Sequence, residues 1–256
     1  MKTIPKTNTS QIPRIERGMT KVYVPHEEGE IAFAYPSIGP GTYANIGKQI
    51  LDSGLQIPTG EQVASLFHSA YCVPQVNDEP EFQNIRDIMG NRWLWVFNRN
   101  LWTSEGVYVV HDSEAVGLSQ PLNKNELEEM LLDGKENLGV IFGNGVNFAR
   151  KGTYNLGEHN HDSLGRDGFM IASYGEEGAE KLAEISTKFK SKPSIYGLEI
   201  SEGKGPIQRV SALYSYWIFV DRMVVVGVNW DGNVYGHSFG ICVPRKKPID
   251  FARRQN

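Results

Sequence analysis

The chain has 256 residues, of which 40% are hydrophobic and 22% charged; that balance excludes wholesale disorder, and the length suffices to bury a core. A formal net charge of −4 and a pI near 5.9 leave no basic field to attract phosphate backbones, so nucleic acid is not an expected partner. The two cysteines, Cys72 and Cys242, cannot build a disulfide framework or a four-cysteine zinc site, and they read as reduced, buried thiols. Met1 to Arg17 contains no apolar stretch of the kind a secretory signal needs, and no apolar run reaches membrane-spanning length. The expectation is a soluble, cytoplasmic protein with no membrane partner.

Residues 1–18 carry Pro5 and Pro13 among small polar side chains and read as a flexible lead-in, with order starting near Thr20. Thr20 to Val24 and Glu30 to Tyr35 alternate as two short strands of a hairpin, and the prolines and glycines of Pro36 to Gly41 end the second. Three helices follow. The first places Tyr43, Ile46, Ile50 and Leu51 on one face and stops at Gly54. Thr59 with Gln62 is a capping box that opens the second, whose buried stripe is Val63, Leu66, Phe67, Ala70 and Tyr71 and whose end is Pro74. The third is capped by Asp78, has Pro80 in its first turn, turns Phe82, Ile85, Ile88 and Met89 inward and closes at Gly90.

Strands are expected over Trp93 to Phe97 and Gly106 to His111, then a helix opened by Asn123 and Glu126. Leu138 to Phe142 and Val146 to Ala149 flank Asn144 Gly145, a dipeptide that tolerates the positive φ angles of a tight hairpin turn. Residues 151–168 are polar and glycine-rich and read as a long surface loop, long enough to suggest function. Phe169 to Ala172 and Ser194 to Ile200 read as strands around a helix from Glu176 to Phe189. Three strands close the chain, Val210 to Val220, Met223 to Trp230 and Asn233 to Val243, with Asp221 Arg222 and Asp231 Gly232 at the turns. The basic residues Arg245, Lys246, Lys247, Arg253 and Arg254 beyond them read as a solvated tail.

The densest set of metal-competent side chains is Glu158, His159, His161 and Asp162. Two imidazoles and two carboxylates suit zinc or another first-row divalent metal, although neighbouring positions of an extended segment point to opposite faces and the set must bend to converge. His68 and Cys72 stand four apart on one helix face, a spacing that serves two ligands, a thiol with a base, or a packed core thiol. Trp93 and Trp95 share a strand face and Trp102 lies a few residues on; exposed, such rings stack on sugars or clamp a partner, and buried they are core. Gly143 to Gly145 and Gly203 to Gly205 do not continue into a phosphate-binding motif.

Ile57 Pro58 Thr59 Gly60 Glu61, then Gly90 Asn91 Arg92 Trp93 Leu94 Trp95, then Gly236 His237 Ser238 Phe239 Gly240 Ile241 resemble the landmark order of formylglycine-generating-enzyme-like domains, a branch of the C-type-lectin-like fold. An aromatic usual in the first motif is replaced around Val63, the arginine- and glycine-rich penultimate motif is absent, and Cys242 has no second cysteine nearby. No residue here therefore takes over that family's oxidase role. The resemblance implies a scaffold with a long irregular surface used for binding, and fold does not fix function.

The sequence thus specifies an α+β fold over residues 19–256 as a single domain, its C-terminal antiparallel meander packed by the earlier helices. Two functions fit. One is a noncatalytic binding module for a small molecule, carbohydrate or protein, using Trp93, Trp95 and Trp102 and the 151–168 loop. The other is a metal-dependent hydrolase or similar enzyme centred on Glu158, His159 and His161, with Asp162 in the same candidate metal cluster and His111 or His237 as the candidate for a further ligand or general base.

Overall fold

In the computed structural model, the described residues are 13–16, 21–27, 29–215, 221–229 and 235–242. Trp217, Trp230, the Asp231 Gly232 turn and the basic C-terminal residues lie outside them.

The chain opens with strands β1 (Arg14–Glu16), β2 (Lys21–His26) and β3 (Gly29–Ala34), which pair antiparallel as a small sheet. The hairpin is where the alternation places it, while β1 occupies part of the expected lead-in. Strand β4 (Ile38–Gly41) and helices α1 (Tyr43–Asp52), α2 (Gly60–Cys72) and α3 (Pro80–Asn91) come next. The Thr59–Gln62 capping box is formed at α2. At α3 the N-cap is Glu79 rather than Asp78, with Pro80 at the first helical position, where its missing N–H leaves no bond unmade.

The large sheet is built from β5 (Trp93–Trp102), β6 (Gly106–His111), β7 (Lys135–Asn137), β8 (Val140–Phe142), β9 (Val146–Arg150), β10 (Gly157–Glu158), β11 (Ser194–Tyr196), β12 (Ile207–Ser215), β13 (Met223–Asn229) and β14 (Gly236–Ser238), joined by β4. Its order is β10-β11-β13-β12-β5-β6-β9-β8-β7, and β14 lies between β4 and β5. Helices α4 (Lys124–Leu131), α5 (His161–Gly165) and α6 (Gly168–Ser186) complete the α+β fold. No helix among the described residues is long and apolar enough to cross a membrane.

Two expectations are corrected. The antiparallel pair β12–β13 forms as expected, but the third closing segment does not lie beside β13. The far edge of β13 is occupied by β11, running parallel to it, so β14 pairs antiparallel with β4 and parallel with β5 instead. The stretch Phe169 to Ala172 is helical, the first turns of α6. Its four consecutive apolar residues are all buried, a pattern shared by core strands and core helices. The deciding feature is Asp167, whose carboxylate accepts from the Phe169 and Met170 N–H groups at 2.9 and 3.3 Å as an N-cap. At Gly175 (φ 71°) α6 breaks its helical geometry, which interrupts the periodicity there.

The sheet carries apolar side chains on both faces. One face, with Leu94, Val96, Leu213 and Val225, packs in the same cluster as α2, α3 and α6 side chains such as Leu66, Phe67, Phe82, Phe169 and Leu182. The other, with Trp95, Phe97, Val210, Ala212, Val224 and Val226, packs with Tyr43, Ile46 and Ile50 of α1. Being covered on both sides, the central strands read as near-continuous apolar runs.

Candidate functional site

The strand register assembles a row of side chains on the α1 side of the sheet. Leu213 of β12 pairs with Leu94 of β5, so the next residue out on each strand, Tyr214 and Trp93, meet on the opposite face. Their rings stack at 4.8 Å with an interplanar angle of 18°. Tyr214 pairs across with Val224, and Tyr196 of β11 pairs with Val226, which adds both valines and the second tyrosine to the same face. Val228 follows two positions on. Between these side chains lies a cavity of about 470 Å³ lined by Trp93, Tyr196, Tyr214, Arg222, Val224, Val226, Val228 and Asn229.

That volume lies within the range of small-ligand sites, and the lining has their usual composition, apolar and aromatic with a few polar groups at the edge. Tyr196 is 53% exposed, so its ring is available to a ligand. Arg222 is held at one side by an ion pair with Glu158. The Arg222 guanidinium and the Asn229 amide are the hydrogen-bonding side chains beside the tyrosine hydroxyls.

The expected tryptophans divide between surface and core. Trp93 is half-buried and lines the cavity. Trp95 shares its face, as the alternation requires, but is fully buried, edge-on to Tyr43 at 5.5 Å, with its indole N–H donating to the Gly41 carbonyl at 3.0 Å. Trp102 is fully buried on the other face against Phe169, donating to the Gly227 carbonyl at 2.9 Å. Both are core residues whose polar atom is satisfied.

The 151–168 segment is structured rather than an open loop, and it does not bring its four expected ligands together. Glu158 sits in β10 and pairs with Arg222. His159 is buried, with Nε2 donating to the Asn155 carbonyl at 2.9 Å and Nδ1 facing the Ser163 hydroxyl at 3.3 Å, so both ring nitrogens are engaged. His161 and Asp162 lie in the first turn of α5, exposed, and pair with each other at 3.0 Å. Burial raises the Asp167 carboxyl to about 6, against three backbone N–H groups and His159 acting in the opposite direction. Neither further histidine joins this segment. His111 Nδ1 lies 3.2 Å from the Phe97 carbonyl, His237 Nδ1 lies 3.2 Å from the Ser37 hydroxyl, and burial lowers the pKa of both.

Tyr196, Tyr214 and Arg222 were not among the residues singled out from the sequence. The signal was present in part: Val224, Val226 and Val228 alternate, and Tyr214 falls in an expected strand. Only the pairing register shows that Tyr214 faces Trp93.

No family model matches the chain, and no curated protein matches it. A solved structure described as the accommodation of massive sequence variation in Nanoarchaeota by the C-type lectin fold matches with a TM-score of 0.52 at 13% identity, covering 81% of this chain and 98% of that one. The likeness establishes a C-type-lectin-like fold here. It bears on architecture alone, and it does not address the formylglycine-generating branch of that fold.

Proposed function

We propose that the protein is a noncatalytic binding domain whose ligand occupies the sheet face around the stacked Trp93–Tyr214 pair. The observation that carries this reading is the cavity's lining: the stacked Trp93–Tyr214 pair, Tyr196 and three valines from neighbouring strands surround a space of ligand size. A C-type-lectin-like fold is compatible with such a role.

The lining also constrains the ligand. Three valines and a stacked ring pair favour an aromatic or branched apolar group over a sugar ring, whose hydroxyls would lose water without enough partners. Arg222 and Asn229 suit a carbonyl or carboxylate attached to that group. The ligand class is therefore a small molecule or peptide side chain that presents an apolar ring next to an oxygen acceptor.

Calorimetric titration with N-acetylated aromatic amino acids and with a set of monosaccharides tests the choice. The reading requires measurable binding of the former that Trp93→Ala removes. Binding of monosaccharides alone, or aromatic binding untouched by Trp93→Ala, would overturn it.

A further inference from the structure

The molecule holds a second constellation, on the opposite side of the sheet. His68 and Cys72 project from one face of α2, four residues apart, and Glu184 of α6 reaches them across the helix interface. One donor atom from each lies within 4.8 Å of the others, and among the described residues no other His, Cys, Asp or Glu trio converges in this way. His68 Nε2 and a Glu184 carboxylate oxygen are 2.7 Å apart. Helix spacing of i and i+4 is the arrangement by which two side chains on one helix grip a single ion.

From these positions we infer that His68, Cys72 and Glu184 form a three-ligand site for a zinc-type divalent cation that ties α2 to α6. The donor set is what such a borderline-soft ion takes: one imidazole nitrogen, one thiolate and one carboxylate. Zinc–ligand bonds place neighbouring donors of a tetrahedron roughly 3.5 Å apart, so the trio reaches that geometry by small side-chain rotations. Charge is balanced as well, since a thiolate and a carboxylate neutralise a divalent ion with His68 neutral. On binding, the thiol proton leaves to solvent as the sulfur–metal bond forms, and nothing is oxidised or reduced.

Without a cation the thiol is held protonated. Burial and the neighbouring Glu184 charge push Cys72 up to about 12, with Lys188 acting in the other direction. A bound metal reverses that balance at the sulfur. The fourth coordination position would face outward, because Cys72 and His68 are only half-buried and Glu184 is exposed. This leaves room for a water molecule.

The test uses the untagged full chain, stripped of metal and titrated with Zn²⁺ and with Co²⁺. The expected result is one equivalent bound, a thiolate-to-cobalt charge-transfer band, and a rise in Tm with added Zn²⁺. Cys72→Ser should lose both the band and the stoichiometric binding, His68→Gln and Glu184→Gln should weaken binding, and Cys242→Ser should leave it intact. Absence of stoichiometric Zn²⁺ binding, or full binding retained in Cys72→Ser, would overturn the assignment and leave an ordinary His68–Glu184 ion pair. If Cys72→Ser fails to fold, His68→Gln and Glu184→Gln decide: unchanged affinity in both would overturn it equally.

Discussion

Replacing Asp167 by Asn should change stability in a pH-dependent way that can be worked from the geometry. One carboxylate oxygen caps α6 through the Phe169 and Met170 N–H groups, and the other accepts from Asn155 N–H at 2.8 Å. The side chain is almost wholly buried, and burial raises its pKa from 3.8 to about 6. Because the folded-state value is the higher one, the folded state holds this proton more tightly. The stability so gained is fully present below about pH 4 and is lost as pH rises through about 6. A shift of about two units at about 1.4 kcal/mol each amounts to a cost on the order of 3 kcal/mol at neutral pH.

Asparagine cannot ionise and escapes that cost. It keeps the α6 cap but turns an N–H₂ toward the Asn155 N–H, which leaves a buried donor unpaired at about 1–3 kcal/mol. The variant should therefore be less stable than the parent at about pH 4 and gain on it by roughly 3 kcal/mol by about pH 7. Urea unfolding across that range measures the difference, and repeating the pair in a His159→Gln background separates the neighbouring imidazole, 4.0 Å away. A stability difference that stays flat with pH would refute the reasoning.

Truncating the three strand tryptophans should separate core from surface. Trp95→Ala and Trp102→Ala each remove a fully buried ring and its hydrogen bond and should cost about 3–5 kcal/mol in urea unfolding. Trp93→Ala, which loses a half-buried ring and one stacking contact, should cost clearly less; equal losses at all three positions would contradict the division. Gly60→Ala should destabilise strongly, because a Cβ there would lie 2.1 Å from the Ser173 carbonyl oxygen of α6. An overpacking cost of about 1–3 kcal/mol is expected, visible as a lower Tm, and an unchanged Tm would show that α2 and α6 can move apart freely.

Local signals carried much of the architecture. The Thr59–Gln62 box, the Asn144 Gly145 turn and the Lys21–Ala34 hairpin are short-range patterns whose physics is contained within a few residues, and each appears in the fold. What the sequence could not show is long-range. The place of β14 depends on β11 having taken the edge of β13, a parallel pairing between segments separated by β12 that neither local pattern nor turn chemistry encodes. Phe169 to Ala172 was ambiguous because a helix buried on every side loses its periodicity. The candidate site shows the same divide. Trp93 stands out by residue type, whereas Tyr214 and Tyr196 become site residues only through cross-strand register. Conversely, Glu158, His159, His161 and Asp162 are close in sequence, yet strand, core and helix positions direct their side chains to separate partners.

Mapping backbone amide shifts of the isotopically labelled protein during titration with N-acetyl-tryptophanamide tests the central claim most directly. Saturable changes are expected to cluster at Tyr196, Tyr214, Val224, Val226 and Val228, which line the cavity. Changes confined to residues 157–166, or no saturable changes at all, would contradict it.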